Sequence, residues 1–165
     1  MDSTQVLRHM LATLAYRAAK VLRATPDGFA ATTAGGSARS SLQIVAHMAD
    51  LMAWGVTIAK GDYVWTAAGS EDWTTEVERF FSGLAAIDRE LESGTLADDS
   101  IEKLIQGPLA DALTHIGQLA MLRGLVGAPI RPESYARAEI VIGRVGPEQA
   151  PSRKEFDGDA SARRR

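Results

Sequence analysis

Three histidines occur in the 165-residue chain, and two of them sit where chemistry is possible. His47 lies inside an apolar pattern, between Ile44 and Leu51. His115 is flanked by Ile116 and Leu119, with Asp111 four residues before it. On a helix that spacing puts two side chains on one face, with Cβ atoms roughly 5–6 Å apart. A carboxylate and an imidazole so placed can share one metal ion. A third ligand from an adjacent helix would complete a facial set with open positions, and His47 is the natural candidate. Two histidines and a carboxylate suit zinc, nickel, iron or manganese, and the open positions would take water or substrate. Ordinary roles also fit these residues. A histidine on an apolar helix face is commonly a core residue with one satisfied hydrogen bond. Asp111, close behind Pro108, also stands where a helix N-terminus favours negative charge by about 0.3–1 kcal/mol. The spacing alone leaves both readings open.

Several neighbours are candidates for orienting a ligand or lining a pocket. Gln118 is three residues from His115 and Thr114 is adjacent to it; either could hold a ligand or a bound water in place. Gln118 could equally hydrogen-bond a neighbouring helix. Trp54, seven residues from His47, falls on the same face as core or pocket wall. Arg123, eight residues from His115, could face a pocket mouth and attract an anion, or simply be solvated. His9, beside Arg8 and off the main apolar stripe, reads as surface or helix packing.

Four helices are needed to position these groups. The first is predicted from about Ser3 to Ala24, capped by Ser3 or Thr4 and stopped by Pro26-Asp27-Gly28. Its apolar stripe is Val6, Met10, Leu14, Ala18 and Val21. A loop rich in Gly, Ala, Ser and Thr follows. The second helix starts near Ser40, with Ser40 or Ser41 as cap, and ends near Lys60 before Gly61-Asp62. It turns Ile44, Met48, Leu51 and Ile58 inward. A loop carrying Trp65 leads to a third helix, from about Glu71 to Ser93, with Phe80, Leu84, Ile87 and Leu91 inside and Gly94 as its stop. Asp98, Asp99 or Ser100 caps a further stretch, and Gly107-Pro108 demands a kink or restart, because proline lacks the backbone donor. The fourth helix runs from about Pro108 to Val126.

The expected fold is therefore all-α, an up-down four-helix bundle over residues 1–130 with an irregular C-terminal extension over 131–165. Pro132, Pro147 and Pro151 mark the extension, and Glu139 to Val145 is its one candidate strand or extended piece. The extension is expected to pack on the bundle or on a partner chain. The basic end, Arg163 to Arg165, would be disordered unless something holds it.

Composition narrows the function. Apolar residues make up 45% of the chain, enough to bury a core at this length. The absence of cysteine excludes disulfides, thiolate metal sites and a cysteine nucleophile. The net charge of −3, with Lys and Arg scattered among acids, disfavours nucleic acid. The N-terminus interrupts its apolar residues with charge, unlike a secretory signal, and no apolar run reaches the roughly 18 residues of a membrane span. A cytoplasmic protein is expected. Phosphate-binding loops, dinucleotide fingerprints and the Gly-x-Ser-x-Gly elbow are all missing.

Two stretches together resemble a known family. GPLADALTHIGQLAMLRGLVGAPI, residues 107–130, looks like the last bundle helix of the DinB-like superfamily. SLQIVAHMADLMAWGVTIAKGD, residues 41–62, is similar to that superfamily's second helix, where an acidic residue and a tryptophan follow a histidine. The resemblance implies an up-down bundle, often a homodimer, with a divalent metal held by three histidines. One comes from the second helix and two, four residues apart, from the fourth. His47 and His115 match two of these positions. The third is Asp111 here, a departure that bears on metal affinity and preference, with Asp50, one turn from His47, as a fallback carboxylate. Relatives in the superfamily include transferases and isomerases that use a low-molecular-weight thiol. The resemblance thus implies a metal-dependent transferase or hydrolase acting on a small molecule. A non-enzymatic metal- or ligand-binding stress protein is the alternative.

Overall fold

The computed structural model describes residues 2–94, 96 and 99–152. Among these there are helices and no strand. Helix α1 spans Ser3–Leu22, α2 Ser41–Lys60, α3 Trp73–Glu92, α4 Ser100–Leu104 and α5 Ala110–Leu125. The five residues Ile105–Leu109 form a π turn that joins α4 to α5.

Helices α1, α2 and α3 each start on a side-chain cap. In α1 the cap is Asp2 rather than Ser3 or Thr4. Its carboxylate accepts from the Gln5 N–H at 2.8 Å, and the Gln5 amide oxygen accepts from the Asp2 N–H at 3.2 Å. That reciprocal arrangement satisfies two donors, and a hydroxyl one residue later has no matching partner. Ser40 and Gln43 do the same for α2. Asp72 caps α3, which starts at Trp73, two residues after the expected Glu71, by accepting from the Thr75 N–H at 2.8 Å. Gly61 closes α2 in the left-handed region at φ 83°, where the Gly61 N–H reaches Ile58 and that of Asp62 reaches Thr57.

Of the expected α1 stripe, Leu14, Ala18 and Val21 are buried, but its first two members are not: the buried face begins instead with Leu7 and Leu11. Leu7, Leu11, Leu14, Ala15 and Ala18 are buried, while Val6 is 48% exposed and Met10 is half-buried. Apolar residues flank the true stripe on both sides, so spacing did not fix its phase. The inward residues named for α2 and α3 are all buried. By length and composition α2 would pass for a membrane span, contrary to the expectation that no stretch would. Most of that stretch is buried inside the bundle, so its apolar character belongs to a core helix.

The helices pack in the cycle α1–α3–α2–α5, so the consecutive helices α1 and α2 lie across the bundle from each other. Their directions depart from strict alternation. Along α2 and α3 the contacts advance together: Asp50 with Arg79, Met52 with Gly83, Gly55 with Ile87, Lys60 with Glu90. These two helices are parallel. Arg8 near the start of α1 pairs with Asp88 and Glu92 at the end of α3, so α1 opposes α3. Arg123 near the end of α5 reaches the end of α1, so those two run together.

The chain achieves this order with a strap. Residues 62–72 run back along α2 instead of turning tightly. Val64 exchanges hydrogen bonds with the Thr57 hydroxyl, the Ala68 N–H donates to Asp50 Oδ1 at 3.1 Å, and Gly69 lies against Ala46. A tight turn would have forced α2 and α3 antiparallel; these residues are enough to retrace the helix.

The extension packs on α1. The Tyr16 hydroxyl donates to Glu133 at 2.5 Å, Lys20 pairs with the same carboxylate at 2.7 Å, and the Arg17 guanidinium lies 3.8 Å from the centre of the Tyr135 ring. Glu139 to Val145, the candidate strand or extended piece, is not a strand: its backbone makes turns (Arg144 to Val141, Val145 to Gly143), and Val145 is buried against the bundle. Among the described residues no strand is present to pair with this segment. Arg163 to Arg165, like Asp98, lie outside the described residues.

Candidate metal centre

α2 contributes His47, and the first two turns of α5 contribute Asp111 and His115. Pro108 fits here because the first turn of a helix needs no N–H from it. The Gly107 backbone, at φ −93° and ψ −105°, leaves the helical region to make the break. A Cβ at Gly107 would stand 3.0 Å from the Trp54 ring, so glycine also lets α2 come close.

The three side chains meet. His47 Nε2 lies 3.2 Å from Asp111 Oδ2, and His115 Nε2 lies 3.3 Å from Asp111 Oδ1. The imidazole centroids are 4.9 Å apart and nearly perpendicular. One donor atom from each residue falls within 4.8 Å of the others, so the cluster could hold a metal ion. An ion bound at about 2.0–2.2 Å to neighbouring donors separates them by roughly 3.0–3.4 Å; each imidazole meets this spacing to one carboxylate oxygen, His47 to Oδ2 and His115 to Oδ1.

The hydrogen bond on the far side of His115 sharpens the point. His115 Nδ1 is 2.7 Å from Gln118 Oε1. With that oxygen as acceptor, Nδ1 carries the proton and Nε2 presents its lone pair to Asp111. A lone pair facing a carboxylate oxygen is favourable only with a proton or a cation between them. Outer partners of this kind set the tautomer of metal-ligating histidines.

Exposure grades across the cluster. The His115 side chain is 9% exposed, that of His47 20% and that of Asp111 44%, so the site opens on the Asp111 side. Trp65 of the strap covers another side. Its ring centroid is 5.8 Å from that of His47, and Trp54 packs edge-on against it, also at 5.8 Å. Trp54 thus reaches the site through Trp65. Nothing in the sequence pattern distinguished Trp65 from any other loop aromatic; only the path of the strap brings it to His47.

Three expected neighbours do other work. Asp50 is buried and engaged elsewhere: it accepts from Arg79 and from the Ala68 N–H, while Glu76 binds Arg79 and the Ser70 N–H. This buried ion cluster fastens the strap, and the charge of Asp50 is spent on it. The Thr114 hydroxyl turns back to the Ala110 carbonyl of its own helix at 3.0 Å, as helical threonines commonly do, and orients nothing in the site. Arg123 faces no pocket mouth. It is buried and donates to the carbonyls of Val21, Arg23, Ala24 and Ala128. Its environment of carbonyls rather than carboxylates lowers its pKa through desolvation alone. Gln118 is exposed and bonds His115 rather than a neighbouring helix, and His9 is exposed.

Two cavities adjoin the cluster. One of about 490 Å³ is bordered by His47, Asp50, Gln43 and Ser70. The other, of about 280 Å³, lies between α2 and α5, with His115 and Gln118 on its wall. No family model, curated protein or solved structure matches the chain.

Proposed function

We propose that this chain is a metal-dependent enzyme of the DinB-like kind acting on a small molecule, as a thiol-dependent transferase or a hydrolase. One observation carries the reading. Two imidazoles from different helices aim their Nε2 atoms at one carboxylate, and the other ring nitrogen of the inner one lies 2.7 Å from Gln118 Oε1.

His47, Asp111 and His115 would hold a divalent ion, with zinc, nickel, iron and manganese all compatible with the donor set. Such an ion, when bound, lowers the pKa of a coordinated thiol or water and so supplies a nucleophile at neutral pH. The remaining roles fall to the chain itself. Gln118 fixes the His115 ring. Asp111 supplies the one formal negative charge, and its exposed side leaves room for an incoming molecule. Trp65 packs on the His47 ring and Trp54 on Trp65, and the two cavities give a substrate somewhere to lie. The resemblance of residues 41–62 and 107–130 to the DinB-like superfamily makes a low-molecular-weight thiol the first cosubstrate to try, and a homodimer the first assembly to look for.

The test is elemental analysis of protein purified without a histidine tag. Near-stoichiometric divalent metal is expected in the wild type. It should be lost in His47→Ala and in Asp111→Ala, with helical circular dichroism unchanged. Full metal retention by either variant removes that residue from the site. A thiol screen with model electrophiles then separates transfer from hydrolysis.

A further inference from the structure

The cavity between α2 and α5 differs from its neighbour in its chemistry. Ala34, Ala38, Ile44, Met121 and Leu122 give it an apolar wall, and no acidic residue borders it. Its one permanently charged lining residue is Arg39, which also borders the larger cavity beside His47. Arg39 is exposed and, among the described residues, its side chain has neither an ion pair nor a hydrogen bond. That contrasts with Arg8, Arg79 and Arg123, each fully engaged. The first turn of α2, directly behind Arg39, carries no acid to offset the positive end of the helix dipole. An unengaged guanidinium at the mouth of an apolar hollow is complementary to a carboxylate with a hydrocarbon body, because the fork geometry matches two carboxylate oxygens. The hollow sits at the lower edge of the roughly 300–1,000 Å³ typical of small-molecule sites.

We propose that this cavity binds a small organic acid, its apolar body against Ile44, Met121 and Leu122, its carboxylate on Arg39 and its far end beside His115. That the acid is a substrate rests on the metal-centre reading above. That the cavity takes an acid rests on Arg39 and the apolar wall.

The experiment keeps the two apart. Hexanoate and its uncharged counterpart hexanamide are titrated by calorimetry into metal-free and zinc-loaded protein, with zinc content measured on the same samples. Wild type, Arg39→Gln and Ala38→Trp are compared; both substituted positions are exposed loop residues, so folding is retained. Hexanoate is expected to bind both forms at least fivefold tighter than hexanamide. Arg39→Gln should erase that preference and Ala38→Trp should block both ligands, with zinc content unchanged. Equal binding of acid and amide overturns the proposal, as does hexanoate binding indifferent to Arg39→Gln. Binding seen only with zinc and insensitive to Arg39 assigns the carboxylate to the metal and overturns it too. Absent zinc with Arg39-dependent hexanoate binding sinks the metal centre and leaves the acid site standing.

Discussion

Gln118 holds His115 from behind: its amide oxygen lies 2.7 Å from Nδ1, and the opposite ring nitrogen faces Asp111. Because Gln118 is exposed, its removal costs the core nothing. Gln118→Ala is expected to weaken metal affinity by about 10–100-fold, the usual range for an outer partner. Competition with a chromophoric chelator measures it, against an unchanged thermal midpoint in metal-free protein. Unchanged affinity would show that the ring is fixed by packing alone.

Gly83 sets the approach of α3 to α2. A Cβ there would fall 2.5 Å from the Met52 Cβ, an atom fixed by its own backbone. Gly83→Ala is therefore expected to destabilise the fold by about 1–3 kcal/mol, as overpacking does. At Gly55 the obstructing atom is the flexible end of Ile87, so Gly55→Ala should cost less. Urea unfolding of the two variants gives the order; Gly55→Ala as the worse of the pair contradicts this account.

Arg123 serves as a polar plug. It collects carbonyls that the end of α1 leaves without helical partners, from Val21, Arg23 and Ala24. Arg123→Met keeps the bulk and removes the donors, and a loss of about 2–4 kcal/mol is expected from several buried acceptors left unmet. Arg123→Lys should recover only part, since one ammonium cannot span the same fork. Metal content should be normal in every variant that folds. Full recovery by lysine would mean that charge, not geometry, holds the helix end.

Tyr16 reports on the docked extension through pH. Burial, followed by its hydrogen bond to Glu133, pushes its hydroxyl up to about 12. In the unfolded chain the group ionises near 10. The folded state therefore retains the proton while the unfolded state has lost it, and stability must fall as pH rises from about 10 to about 12. Below pH 10 the contribution is complete. The stability difference between wild type and Tyr16→Phe should accordingly be constant at neutral pH and shrink across that alkaline window. A difference flat to pH 12 would mean that neither burial nor Glu133 raises the Tyr16 hydroxyl in the folded protein.

Element existence was legible because it is local. The cap at Ser40, the stop at Gly61 and the break at Gly107-Pro108 are all written within a few residues of where they act. The pairing of Asp111 with His115 is local as well, since four residues on a helix is a distance. What resisted reading was everything decided by neighbours distant in sequence. Arg123 looked like a surface cation because the carbonyls it meets are about a hundred residues away. Asp50 looked available because Arg79 belongs to another helix. The parallel course of α2 and α3 depends on the strap, and its residues carry no periodic signal to announce a path.

That strap separates two jobs that loops often mix. Its backbone is anchored at Val64, Ala68 and Ser70 by side chains of α2 and α3. Thr66 and Ala67, between the anchors and next to Trp65, are exposed. Those two positions can be rewritten without disturbing a helix, so the rim over His47 is a place where one scaffold can acquire different selectivities.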